Sequence, residues 1–300
     1  MNLLNRDGII HISLLEGQAR AILIESTALV QRAKEIHGLS KIATAALGRT
    51  LTATAMLGSM LKGKDESVTA SIRGGGPIGT VLAVSNEKCE VKGYVDNPAI
   101  DLPRTGPKLP VGAAVGKDGR LTVIKDMHMR EPYVGQVNLV SGEIAEDFAM
   151  YFTASEQTPS LVSLGVLVSD EKVESAGGLI VQLMPGASEA AIQSIEMSAG
   201  MFMDISGTMK EYHLDGAVNQ LLMHLQPEVL ERRETCYRCD CSRDRVERAL
   251  ITLGAKELGD MIDEQHGAQV DCHFCNKRYA FTEDELKALL AAATAKDDKK

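Results

Sequence analysis

One pattern constrains this chain more than any other. Cys239-Asp240-Cys241 is followed, after thirty intervening residues, by Cys272-His273-Phe274-Cys275. Two close pairs, each presented by a tight turn, let four sulfurs converge on one tetrahedral ion. The surrounding tail is charged and holds too few large apolar residues to fold alone. A closed zinc site supplies the missing folding energy, on the order of 10–16 kcal/mol for small structural sites. Four thiolates around Zn²⁺ leave an excess of negative charge, and Arg238, Arg243, Arg245 and Lys277 are near in sequence to offset it.

Ligand choice stays open at this point, because Cys236-Tyr237-Arg238-Cys239 is itself a CxxC pair. Either Cys236/Cys239 or Cys239/Cys241 can fill the first half of the site. His266 and His273 are chemically able substitutes, but four cysteines already complete a shell, so both are expected exposed or packed behind the sulfurs. Cys89 lies alone in a predicted strand and reads as an inert core residue. Spacing by itself favours a static structural site, since most four-cysteine zinc sites are structural.

Cysteines read as ligands or redox groups, not staples, only if the chain resides in a reducing compartment. Asn5, Arg6 and Asp7 break any apolar run at the N-terminus, so no signal-peptide core is present. No stretch approaches the roughly 18 apolar residues of a membrane helix. A cytosolic protein without a membrane partner is expected. The formal net charge of −9 argues against nucleic-acid binding, which rests on cationic side chains neutralising phosphates. With 44% hydrophobic residues but no Trp, the core must be filled by aliphatic side chains and Met.

The chain divides on composition into an α/β core domain over 1–186, a helical Met-rich connector over 187–235 and a small zinc-binding domain over 236–300. Residues 40–62 are small or apolar on most sides, which predicts a helix buried through the core. Alternation predicts strands at 9–15, 19–24, 68–72, 80–84, 90–95, 121–125, 134–140, 161–168 and 179–183. Ile144, Phe148, Tyr151 and Phe152 mark one further helix. Strands grouped with few helices between them indicate an α+β fold, with β-sheets packed on buried helices.

Gly74-Gly75-Gly76-Pro77-Ile78-Gly79 matches GxGxxG literally, but a dinucleotide fingerprint opens a helix and here a strand follows. These glycines are read as a tight turn. No nucleophile-and-base arrangement is visible, so no enzyme activity is expected. The connector holds five of the thirteen methionines, Met197, Met201, Met203, Met209 and Met223, and shows no strand signal. Met fills irregular gaps or forms adaptable binding surfaces. Composition favours gap filling.

Several motifs together resemble the heat-shock protein 33 family of redox-regulated holdase chaperones. They are Ala45-Ala46-Leu47-Gly48-Arg49-Thr50, the 74–79 glycine run, Arg130-Glu131-Pro132-Tyr133, Ser141 to Asp147, Ser155 to Ser160, and Gln182-Leu183-Met184-Pro185-Gly186. The tail motif Cys239-Asp240-Cys241-Ser242-Arg243 with Cys272-His273-Phe274-Cys275-Asn276 is the most specific. The resemblance implies zinc held by Cys239, Cys241, Cys272 and Cys275, with Cys236 an extra thiol, and a switching site in place of a static one. It further implies Cys239–Cys241 and Cys272–Cys275 disulfides on oxidation, loss of zinc, and unfolding of a tail that had kept the connector's apolar surface covered. ATP-independent holding of unfolding client proteins and a homodimer in the oxidised state complete the expectation. Two rivals are a disulfide oxidoreductase, which lacks its helix-opening CxxC in a thioredoxin-like unit, and a static zinc-ribbon adaptor.

Overall fold

Alternating strand sequences that bury one face require a cover, and here a single helix covers two sheets. The computed structural model describes residues 7–104, 106 and 108–297. The first strands are β1 (Gly8–Leu14) and β2 (Ala19–Glu25), followed by α1 (Thr27–His37) and α2 (Lys41–Ser59). A hairpin-rich stretch follows with β3 (Ser67–Arg73), β4 (Thr80–Asn86), β5 (Glu90–Val95), the short α3 (Val111–Val115), β6 (Arg120–Asp126) and β7 (Tyr133–Asn138). Next come α4 (Ala145–Ala154), β8 (Ser160–Val168), β9 (Val173–Leu183), α5 (Glu189–Ser198), α6 (Ile205–Leu222), β10 (Glu228–Glu234) and β11 (Cys236–Tyr237).

One sheet has the order β10-β1-β2-β9-β8 and the other β11-β5-β4-β3-β6-β7. All pairings are antiparallel except β11 with β5. The α+β expectation holds. Helix α2 packs on β3, β4 and β5 of one sheet and on β8 and β9 of the other. All its residues but Lys41 and Arg49 are buried. Its start is fixed by Ser40, whose Oγ accepts the Ala43 N–H at 3.2 Å. Buried Thr50, Thr52 and Thr54 donate to the carbonyls of Ala46, Gly48 and Thr50 at 2.9, 2.7 and 2.7 Å, so their hydroxyls cost no unmade bond. At Gly48 an added Cβ would stand 2.8 Å from Val30 Cγ1 and 2.9 Å from Val166 Cγ2, so a side chain there is excluded by packing.

The glycine run behaves as a turn. Gly76 and Ile78 donate N–H groups to Val115 and Ala114 at 2.9 and 3.0 Å, and a Cβ on Gly76 would lie 2.3 Å from the Ala114 carbonyl oxygen. Strand β4 then follows, as the sequence indicates. Cys89 is fully buried at the turn between β4 and β5 with φ of 59°, and burial pushes its thiol up to about 11. It is a core residue as expected, placed in the turn and not in a strand.

Residues 187–235 differ from expectation at their end. After α5 and α6 the chain forms β10, paired antiparallel with β1 from Gly8↔Glu234 to Ser13↔Glu228, with a register shift between His11 and Ile12. Six of its seven side chains are exposed and five are charged. No apolar alternation marked it, because an edge strand can form on backbone pairing alone. Within α6 the helix breaks at His213, φ 52°. Buried Glu25 anchors the break, receiving the Leu214 N–H at 3.0 Å and lying 3.0 Å from His213 Nδ1.

Contacts divide the chain into two compact units between Arg238 and Cys239. Cys236 and Tyr237 therefore pair with β5 in the first unit, and Tyr237 bonds Gly93 through its hydroxyl at 2.9 Å. The second unit contains α7 (Arg243–Leu253), α8 (Ala255–Gln265), β12 (Gly267–Asp271), β13 (Arg278–Thr282) and α9 (Glu283–Asp297). Its core is small: Leu250, Leu258, Ile262, Tyr279, Phe281, Leu286 and Ala293.

Candidate metal centre

Both cysteine pairs are placed by local backbone devices. Cys239 and Cys241 immediately precede α7, whose N-terminus is capped by Ser242 Oγ accepting the Arg245 N–H at 3.3 Å. Cys272 and Cys275 form the tip between antiparallel β12 and β13. There Asn276 and Cys275 donate N–H groups to the Cys272 carbonyl at 2.8 and 3.2 Å, and Cys272 donates to Lys277 at 2.9 Å. Asn276 takes φ of 57°, a left-handed position that Asn tolerates.

These turns bring all four Sγ atoms within 4.8 Å of one another, the one such group of possible metal ligands among the described residues. Cys239 Sγ lies 3.7 Å from Cys272 Sγ, and Cys241 Sγ lies 3.4 Å from Cys275 Sγ. Sulfurs at the corners of a tetrahedron with Zn–S bonds of 2.3 Å stand about 3.8 Å apart. The donor set and these two spacings fit a soft, four-coordinate ion. Cys236 is not in this group, and His266 faces Glu283 at 3.4 Å instead. His273 is exposed.

Charge is distributed unevenly over the sulfurs. Burial pushes the thiols of Cys239 and Cys275 up. At Cys241 burial also raises the thiol, but hydrogen bonds from Tyr279, Cys275, Cys239 and Cys272 outweigh it and bring it down to about 7. The Tyr279 hydroxyl donates to Cys241 Sγ at 3.1 Å, while its ring is buried in the unit's core. Sequence reading missed Tyr279, and pairing across the β12–β13 hairpin is what delivers it.

The cations near in sequence are mostly engaged elsewhere. Arg238 pairs with Glu90, Arg245 with Asp240, and Arg243 with Glu247 at 3.2 Å and Glu285 at 2.7 Å. Arg243 also lies over the Phe281 ring at 4.3 Å, and Lys277 over the Tyr279 ring at 5.0 Å. The offset expected from Arg238, Arg243 and Arg245 goes to carboxylates; hydrogen bonds from Tyr279 and neighbouring thiols do that work at Cys241.

No helix among the described residues is long and apolar enough to cross a membrane. The sequence model of the family Hsp33 protein matches residues 7–282. A 33 kDa chaperonin of Clostridioides difficile (strain 630) is 46% identical over 95% of this chain and 99% of its own. Another, of Alkaliphilus metalliredigens (strain QYMF), is 45% identical over 94% and 98%. The crystal structure of the 33 kDa chaperonin (heat shock protein 33 homolog) from Thermotoga maritima superimposes with a TM-score of 0.88 at 36% identity, covering 97% of this chain and 99% of that one. With the family pattern spanning nearly the whole sequence and the same fold found in a solved relative, the chain belongs to the Hsp33 family.

Proposed function

We propose that this chain is a redox-regulated, ATP-independent holdase chaperone of the cytosol whose switch is the cluster Cys239, Cys241, Cys272 and Cys275. One observation carries the reading: four sulfurs converge in a unit whose own buried apolar core is seven side chains. When bound there, zinc would act as a closed four-thiolate cross-link that adds folding energy to the tail.

The residues supply the rest. One thiolate attacks peroxide or hypochlorous acid, breaking the O–O or O–Cl bond to give a sulfenic acid and hydroxide or chloride. With every Sγ within 4.8 Å of the others, a neighbouring thiol is in reach to displace water and close a disulfide. The proposed products are Cys239–Cys241 and Cys272–Cys275. Sulfur joined in a disulfide has no thiolate charge and ceases to be a ligand. The tail is then left with its small core, unfolds, and releases apolar residues such as Leu250, Leu258, Ile262 and Phe281 together with the 187–235 connector. Unfolding clients bind this surface, and two oxidised copies associate. Action is by binding, with no substrate turnover, no nucleic acid and no membrane.

The test uses zinc-loaded full-length protein exposed to peroxide under mild heat. Zinc appearing on a chromogenic chelator and suppression of test-protein aggregation should rise together and reverse on thiol reduction. Retention of zinc, or holding unchanged by oxidation, would overturn the switch and leave a static site. Disulfide mapping by mass spectrometry decides between the proposed pairing and the cross-pairs Cys239–Cys272 and Cys241–Cys275.

A further inference from the structure

Four of the connector's five methionines are not gap fillers. Of the five, only Met209 is buried; Met197, Met201, Met203 and Met223 are 86, 47, 79 and 58% exposed. Half of the large exposed hydrophobic side chains among the described residues, seven of fourteen, are methionine. The four connector methionines also sit in one neighbourhood. Met197 lies in the last turn of α5, and Met201 and Met203 flank Phe202 in the turn that follows. Phe202 is fully buried and its carbonyl accepts from Ser163 Oγ at 2.5 Å, which pins that turn while its neighbours face outward. Ser198 Oγ lies 2.6 Å from His224 Nε2, bringing Met223 beside the same turn.

We propose that Met197, Met201, Met203 and Met223 form a second oxidant-responsive site, where sulfoxide formation withdraws apolar surface and weakens client holding; this rests on the holdase reading. In each step the thioether sulfur attacks peroxide or hypochlorous acid, an S–O bond forms, and the O–O or O–Cl bond breaks. Sulfur loses two electrons, and the oxidant is reduced to water or chloride. The product is polar and chiral where the thioether was apolar and pliable. Thiol oxidation turns holding on; methionine oxidation at higher dose turns it down. The two reverse by different chemistry, since thiol reductants restore cysteines, whereas sulfoxides require methionine sulfoxide reductases.

Full-length protein is titrated with hypochlorous acid, each sample being assayed for aggregation suppression and mapped by peptide mass spectrometry. The four connector methionines should each gain one oxygen well before buried Met56 and Met209. Holding should rise and then fall several-fold, and the fall should be reversed by the reductases but not by a thiol reductant. The quadruple variant M197L/M201L/M203L/M223L keeps the apolar surface without an oxidisable sulfur, and its holding should plateau. Equal oxygen uptake at buried and exposed methionines would overturn the site, and a variant that declines like the wild type would overturn its role. Absence of holding at every dose strikes the chaperone reading instead, while the oxygen map still judges the site.

Discussion

Tyr279 shows how finely a sulfur can be tended by a residue that spacing does not reveal. Removing only its hydroxyl, Tyr279→Phe, keeps the buried ring but deletes the 3.1 Å bond to Cys241 Sγ. Zinc affinity should fall roughly ten-fold while the tail stays folded, since partners of ligands commonly contribute that much; competition with a chelator of known affinity measures it. Cys239→Ser should reduce zinc affinity far more, whereas Cys236→Ser, in a residue paired with β5 in the first unit, should leave it unchanged. The reverse result would reassign the ligands. That two cysteine pairs make one site was legible because pairs and turns are properties of neighbouring residues, but spacing left Cys236/Cys239 and Cys239/Cys241 both open, and only the family resemblance chose between them. Tyr279 was not, because its contact arises from pairing between separated strands. The outward-facing methionines were equally hidden: composition counts residues but does not say which side of a turn they occupy.

Among the elements, α2 was legible from sequence as a buried helix because it is apolar on most sides; that it lies between two sheets was not. Strand β10 was not, as its residues are charged and its order comes from the free edge of β1. Helix α1, which starts where Asp7 accepts the N–H groups of Ala28 and Leu29 at 3.0 and 2.6 Å, carries a cap distant in sequence and also went unread. For α2, Gly48→Ala weighs two opposed effects. Helix propensity gains about 1 kcal/mol. The Cβ would meet branched Val30 and Val166 below 3.0 Å, and overpacking costs about 1–3 kcal/mol. The net expectation is destabilisation of about 1 kcal/mol, read as a lower denaturant midpoint for the first unit.

Across the whole molecule the two units should respond to different reagents. Chelation should melt the second unit and loosen the 187–235 connector, lowering far-UV helical signal, and leave the thermal transition of residues 7–186 in place. Acidity acts on the first through Asp7. Burial pushes its carboxyl up to about 7, against the pull of the Ala28 and Leu29 N–H groups and with repulsion from Glu25 added. The unfolded chain titrates near 3.8, so between that value and about 7 the folded state holds more protons. Its contribution is complete at low pH and lost as pH rises through 7. Asp7→Asn should therefore flatten the fall in melting temperature between about pH 4 and 7 relative to wild type, with the difference between the two curves as the readout. A parallel pair of curves would show that Asp7 does not titrate there. Strand β10 carries a mechanical consequence of its own. The chain passes directly from β10, on the edge of one sheet, to β11, on the edge of the other, so a pull from beyond Arg238 meets the β11–β5 pair before it reaches Glu234 opposite Gly8.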